Sequence, residues 1–484
     1  MSGELGIFFC DLDSTQEGHA RDWSLTNKGV LYSDKNLKPE PLSLITPDAK
    51  VKPDAYIEID LESNLEKSPI DPLTEDLIAC ACHIYQADRM MLRPRHSWHR
   101  RMEFHIGVNN KQLYQSVAGE IGRIIGYLTQ DQITVQFYQL NAARQTLGLP
   151  KPVRNPDGGV CVFSDNIDSM AGVATVNQAT NILASFQYGP EKPRFNQMRL
   201  IEKIEKVTNN LGYIGLKIMP RRIKGRDITQ RSRGFLQLSL AAAIARHSGL
   251  QRIQVFGNGF SSYHLRNRQI CGPGFAVRDT YPIFLRDVLD LFTGLNVAEK
   301  LAITNPFQFS TPNDVLGILL HLLPDCAQEL FSCTDNCLEH KMAKELRKWN
   351  SQAIPHCGCC FPCKIRRLAA LKMQLETEQD YGAYSINPMG KKVSSRSTKK
   401  LGSHLRDRLQ QFHIKGLQEF RTYLEIFKGD PQIILQVPEI GEQIRKMSTV
   451  KLDFTRNRKD ADDVRNGIIE VHHRFAEEAL GYFP

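Results

Sequence analysis

Residues 160–173 read VCVFSDNIDSMAGV. Val160 to Phe163 form a short apolar run suited to a buried strand. Ser164, Asp165, Asn166, Asp168 and Ser169 are cap and turn formers, and the small apolar residues after them open a helix. A strand entering a helix through so tight a corner presents backbone N–H groups and the positive end of the helix dipole, a combination that favours an anion. The hydroxyls of Ser164 and Ser169 add donors. No GxxxxGK[ST] pattern is present, so the corner is not the phosphate loop of the common NTPases.

Downstream, strand-like pieces alternate with helix-like ones. ILASFQY (182–188), IGLKIM (214–219), RIQVFGNG (252–259) and KLAITNPF (300–307) are separated by PRFNQMRLIEKIEKV (193–207), FLQLSLAAAIARHSG (235–249) and IFLRDVLDLFTGL (283–295). This order implies βαβ units around a mostly parallel sheet, an α/β fold whose ligands sit beyond the strand C-termini. Upstream, TEDLIACACHIYQADRMML (74–92) and SVAGEIGRIIGYL (116–128) have helical apolar spacing, while EFHIGV (103–108) and TVQFYQL (134–140) alternate as strands. These predict an N-terminal α+β domain over 1–150, bounded by the connector LGLPKPVRNPDGG (147–159). The α/β domain then spans 151–325, a cysteine-rich segment 326–380, and a helical C-terminal extension, interrupted by the basic loop KKVSSRSTKK (391–400), spans 381–484.

With 484 residues, 41% hydrophobic and 24% charged, the composition is that of a globular protein with several cores. No apolar run reaches the roughly 18 residues a membrane span needs, and the N-terminus lacks a signal-peptide pattern, so a cytoplasmic location without membrane contact is expected. The net charge of +9 would suit a polyanion, and RRIKGRDITQRSR and KKVSSRSTKK keep a nucleic-acid reading open. Neither stretch has the interleaved aromatics of a stacking platform.

Seven of the 12 cysteines fall between Cys326 and Cys363. Cys357, Cys360 and Cys363 form a C-x2-C-x2-C run, and a fourth thiolate from Cys333 or Cys337 would complete a closed tetrahedral zinc site, structural rather than catalytic. An iron-sulfur centre is the rival use of such spacing. Cys359 is a spare. His96, His99 and His105 lack accompanying ligands and read as surface or packing residues. Arg278 and Arg233 are commonplace loop and helix-start residues that could also face phosphate.

S-D-N-I-D-S resembles the S-G-G-x-D-S pyrophosphate loop of the N-type ATP pyrophosphatases. SFQYG (185–189), SRGFLQLSLAAAIARHSGLQRIQVFGNG (232–259), and the order Ser332-Cys333 followed by C-G-x-C-x-x-C resemble the QueC family of 7-cyano-7-deazaguanine synthases over roughly residues 158–375. ADRMMLRPRHSWHRRMEFHIGV (87–108), IGYLTQDQITVQFYQL (125–140) and VRDTYPIFL (277–285) resemble a QueC-like branch found in bacterial anti-phage defence. The resemblance implies an adenine nucleotide alpha hydrolase (HUP) type of fold. It also implies ATP with Mg²⁺ at Ser164, Asp165, Asn166, Asp168, Ser169 and Arg233, and structural zinc at Cys333, Cys357, Cys360 and Cys363. The implied reaction is adenylation of a 7-deazaguanine carboxylate for amide or nitrile formation, with a protein amine as one acceptor and another protein of the defence operon as partner. The chain departs from the family where Asp165 and Asn166 replace loop glycines, and where Pro312 and Asn313 stand in place of a lysine. These departures support a second reading, a catalytically impaired scaffold subunit. Asp and Asn tolerate the φ > 0 geometry that loop glycines provide.

Overall fold

The computed structural model describes residues 5–10, 30–31, 43–45, 56–63 and 66–483, apart from 94–98, 141–147, 152–157, 177–180, 189–201, 203–211, 222–230, 264–277, 298–299, 335–336, 338–355, 377–383, 391–402 and 437–460. KKVSSRSTKK, most of RRIKGRDITQRSR, His96 and the helix expected over 193–207 lie, wholly or nearly so, outside the described residues.

The N-terminal part supplies strands β1 (Leu5–Cys10), β2 (Val30–Leu31), β3 (Ser43–Ile45), β4 (Tyr56–Ser63), β5 (Lys67–Pro69), β6 (Arg101–Val108), β7 (Gln132–Gln139) and β8 (Gly148–Pro150). Its longer helices are α1 (Pro72–Met90) and α2 (Ala118–Thr129). Asp71 caps α1 by accepting from the Leu73 and Thr74 amides, with Pro72 in the first turn. Strands β2, β1, β6 and β7 form a four-stranded sheet in that order. Every pair in it is parallel, a pairing that the α+β expectation did not specify. The reason lies in the connections: a parallel pair needs a crossover, and α2 supplies it between β6 and β7. Residues Met102 to Val108 are buried without alternation, as a strand covered on both faces requires.

The second part contributes β9 (Val160–Phe163), β10 (Ile182–Tyr188), β11 (Gly212–Arg221), β12 (Arg252–Gln254) and β13 (Ala302–Thr304). These five form a parallel sheet in the order β13-β12-β9-β10-β11. Its helices are α3 (Ile167–Thr175), α4 (Arg233–Ser248), α5 (Gly259–Tyr263), α6 (Pro282–Gly294) and α7 (Pro312–Leu322). Alternation along the strands splits their side chains between two faces. Val160, Ile182 and Ile253 join Leu236, Leu240 and Ile244 of α4 in one core. Cys161, Phe163 and Leu183 join Met170 of α3 and Leu316 and Leu319 of α7 in the other. The sheet is therefore covered on both faces. Its chain order runs outward from β9 to β10 and β11, then returns to β12 on the opposite side of β9. That reversal makes the gap between the C-terminal ends of β9 and β12 the topological switch point, where open α/β sheets take their ligands.

Contacts cross the connector near residue 150. β4 extends the parallel sheet as an antiparallel neighbour of β11, from Ile214↔Ser63 to Arg221↔Tyr56. Helix α1 packs on α4, and every residue from Thr74 to Asp88 is buried. Two of its buried carboxylates, Asp76 and Asp88, are satisfied by neighbouring elements. Asp76 accepts from the Asn109 amide (2.8 Å), and Asp88 accepts from the Ser232 amide (3.1 Å) and hydroxyl (2.8 Å) while pairing with Arg100. Arg100 also binds Asp131 (2.6 Å), so a fully buried guanidinium bridges two buried carboxylates.

After α7 come α8 (Ala327–Cys333), α9 (Phe361–Lys372), α10 (Ser403–Gly429) and α11 (Ala461–Leu480). α9 packs on α7, and α10 and α11 pack together. No described helix is long and apolar enough to cross a membrane.

Candidate functional site

The SDNIDS corner sits at the switch point, between β9 and the first residue of α3. Asn166 is the helix cap, extended at φ −88° and ψ 167°. Its Oδ1 accepts from the Ser169 amide (2.7 Å). The Ser164 and Ser169 hydroxyls hydrogen-bond each other (2.9 Å), and Ser169 Oγ also accepts from the Ser164 amide (3.3 Å). Among described non-glycine residues, positive φ occurs at Gln130, Asn296 and Gln374. Asp165 and Asn166 thus make the turn without left-handed backbone, contrary to the expectation from the missing glycines. The side-chain cap does the work that glycine flexibility would do.

Asp168 turns toward the neighbouring strand. Its Oδ2 accepts from both the amide (3.1 Å) and the side-chain Nδ2 (2.8 Å) of Asn258, in the loop after β12. The carboxyl is pushed up to about 6 by desolvation, the two Asn258 hydrogen bonds pulling the other way. Asn258 is fixed in turn, its Oδ1 accepting from the Ser261 amide (2.9 Å). The flanking glycines are required by close approach: a Cβ at Gly257 would lie 2.6 Å from Thr280, and one at Gly259 2.4 Å from the Gln308 carbonyl oxygen. Asn305, after β13, braces this loop by donating to the Gly257 carbonyl (2.9 Å). Sequence reasoning passed over Asn258 and Asn305. Their signal was position, each being an amide residue just past the C-terminal end of a parallel strand.

Arg233 begins α4, at the same end of the sheet as the corner, and lies 3.9 Å from Asp279. Burial raises the Asp279 carboxyl, and Arg233 draws it back down. Arg278 stacks on the Tyr127 ring at 4.1 Å and donates to the Tyr127 carbonyl, a structural role. His99 meets the Gln130 carbonyl oxygen. His105 lies between Glu103 (2.7 Å) and Tyr138 (3.1 Å), a buried packing histidine as expected.

The cysteine cluster brings together Cys337, Cys357, Cys360 and Cys363, all buried, with their sulfurs within 4.8 Å of one another. The Sγ–Sγ separations are 3.9 Å for Cys357–Cys363 and 3.3 Å for Cys360–Cys363. A tetrahedral zinc with Zn–S bonds of about 2.3 Å sets sulfurs about 3.8 Å apart, so this donor set fits a metal ion such as zinc. The resemblance pointed to Cys333, and the structure corrects that choice. Cys333 is the last residue of α8 and packs into the apolar core with Phe331 and Ala370, whereas Cys337, beyond the helix end, reaches the other three sulfurs.

Local backbone prepares the site. Gly358 has φ +80°, and a Cβ there would lie 1.8 Å from the Ile386 carbonyl oxygen, so this turn excludes a side chain. The Cys359 and Cys360 amides both point at Cys357 Sγ (3.3 Å each), and the Cys357 amide points at Cys337 Sγ (3.3 Å). Such donors favour thiolate over thiol and orient the ligands. Helix α9 adds buried cations. Lys364 donates to the Cys359 carbonyl (2.6 Å), and Arg366 donates to the Phe331 carbonyl (2.6 Å) while covering the Phe331 ring at 3.7 Å. Arg366 thereby anchors the end of α8, from which the chain runs to Cys337.

Compared with known protein families, curated proteins and solved structures, the chain matches none. The architecture and the site therefore define it as an α/β protein with a five-stranded parallel sheet and a buried four-cysteine group able to hold a metal.

Proposed function

We propose that the chain is a QueC-like, ATP-dependent enzyme of a bacterial anti-phage defence system, of the kind represented by QatC, which adenylates a 7-deazaguanine carboxylate. The observation carrying this reading is the position of SDNIDS. Ser164, Asn166 and Ser169 are gathered at the switch point of the parallel sheet, with Asp168 beside them on Asn258. In that role the Ser164 and Ser169 hydroxyls turn from each other to the phosphates, Asp168 faces Mg²⁺, and Arg233 serves the nucleotide or the deazapurine. The carboxylate oxygen attacks the α-phosphorus, pyrophosphate leaves, and an amine then displaces AMP to give the amide. A structural zinc held by Cys337, Cys357, Cys360 and Cys363 would keep α9 against α7. Incubation with ATP, Mg²⁺ and 7-carboxy-7-deazaguanine should yield AMP and pyrophosphate in equal amounts. Absence of both products, with zinc present, would defeat the reading.

One observation favours the scaffold alternative. The Ser169 amide, a donor a phosphate would use, is already taken by Asn166. A scaffold subunit would co-elute with a neighbouring defence protein on size exclusion and bind ATP no better after the corner is opened by glycines. The nucleic-acid reading rests on basic stretches alone and predicts salt-sensitive retention of DNA or RNA.

A further inference from the structure

Phe260 lies two residues beyond Asn258 and is fully buried. Its ring meets Phe475 and His472 of α11 at centroid distances of 4.4 Å and 5.2 Å, Tyr423 of α10 at 6.0 Å, and Phe361 of α9 at 6.1 Å. Phe361 directly follows the ligand Cys360 and opens the helix that carries Cys363. One side chain therefore joins the cysteine centre, both C-terminal helices and the segment that holds Asp168.

That segment has little freedom to absorb a displacement. Helix α5 is five residues long. The Gly259 amide donates to the Ser310 carbonyl (2.8 Å), and a Cβ at Gly259 would already overlap Gln308. The Ser262 amide donates to the Asn258 carbonyl (3.0 Å), so movement of the Phe260 ring is passed to Asn258. The C-terminal helix is also pinned to the first turn of α7, Glu478 accepting from Asn313 (2.6 Å) and Arg474 pairing with Asp314 (2.6 Å). Close-packed interiors transmit such displacements because they contain few voids to take them up.

We infer that Phe260 is a positioning residue tying the four-cysteine centre to the Asp168–Asn258 corner, so that metal at the cysteines and a phosphate-bearing ligand at the corner favour one another. The identity of the ligand rests on the nucleotide reading above, whereas the tie itself is a property of the chain. Linkage makes the effect reciprocal: whatever factor the metal adds to ligand affinity, the ligand adds to metal affinity.

The test is hydrogen exchange on the full-length, zinc-loaded protein. Removing zinc with a chelator should speed exchange at the Asn258, Ser261 and Ser262 amides by about ten-fold, a typical size for coupling between sites, while the amides of residues 102–108 stay protected. Phe260→Leu, with zinc content unchanged, should already show the faster exchange and respond less than two-fold to the chelator. Equal chelator responses in parent and variant, or a response limited to 357–372, would overturn the inference. If zinc removal also exposes 102–108, the reciprocal direction decides. In cobalt-loaded protein Asp168→Asn should change the rate of metal extraction several-fold, and in the Phe260→Leu background it should leave that rate unchanged; no change in either background overturns the tie. Binding of Mg-ATP, expected about ten-fold weaker in Phe260→Leu, is read separately. A protein that binds no nucleotide in any form sinks the nucleotide reading and leaves the exchange result to judge the tie.

Discussion

The cysteine turn and the SDNIDS corner are both tight backbone features that gather donors, yet they aim those donors differently. At the cysteines, three backbone amides already point at sulfur, and the turn at Gly358 has no room for a side chain. At the corner, Asn166 holds the Ser169 amide and the two serine hydroxyls hold each other. The first site is organised for its occupant before it arrives, and the second satisfies itself and must open. Preorganisation costs nothing at binding, whereas opening a self-satisfied corner subtracts from ligand affinity.

The largest effects should come from breaking the organised site. Cys337→Ser should abolish the roughly one zinc per chain expected of a closed four-thiolate shell, while Cys333→Ser should keep it. Elemental analysis of the two purified variants separates them, and the opposite result would restore Cys333 as a ligand. Gly358→Ala forces a side chain into the Ile386 carbonyl at positive φ. It should lower stability by about 3 kcal/mol or more and release metal to a chelator faster than the parent does.

Opening the other site should have the reverse sign. Asp165→Gly with Asn166→Gly removes both the competing cap and a carboxylate near the phosphates, and should tighten Mg-ATP binding by roughly ten-fold, about 1.4 kcal/mol. Isothermal titration at low and high salt measures it, and unchanged affinity at both would mean the corner does not face phosphate. Asn166→Ala, which removes the cap without adding backbone freedom, should cost about 1 kcal/mol in chemical denaturation.

An effect of similar size, but dependent on pH, concerns Asp168. Its carboxyl stands at about 6 in place of 3.8, so between about pH 4 and pH 6 the folded chain keeps a proton that the unfolded chain has released. Stability from this group therefore falls as pH rises through that window, and the penalty is complete above it. Asp168→Asn still offers one oxygen to both Asn258 donors. Its stability relative to the parent should rise by about 1–2 kcal/mol from pH 4 to pH 7, after allowance for solvent on its open side. A flat difference across that range would show that the carboxyl is not desolvated as placed.

The strand-helix alternation from Val160 onward was legible because the Val, Ile and Phe runs carry their own period, and the side on which each residue lies follows from it. The C-x2-C-x2-C part of the metal group was equally legible, since those three ligands share one local turn. Cys333 was chosen over Cys337 by resemblance, because spacing does not reveal that α8 continues through Cys333 and turns its thiol into the core. Asn258 was hidden for a related reason: the hydrogen bond to Asp168 spans 90 residues and leaves no periodic trace. Strand direction in the N-terminal sheet was also unreadable, alternation being the same in parallel and antiparallel pairs.

The pairing of β4 with β11 has a consequence for how the chain is made. On a ribosome adding 5–20 residues per second, β4 emerges about 150 residues, or roughly ten seconds or more, before its partner exists. Through that interval a strand of eight residues has β3 on one side but no β11 on the other, and offers that open edge to any passing chain. The nascent protein should therefore depend on chaperone cover until residue 221 has left the exit tunnel, and its yield should respond to translation speed across the stretch between the two strands.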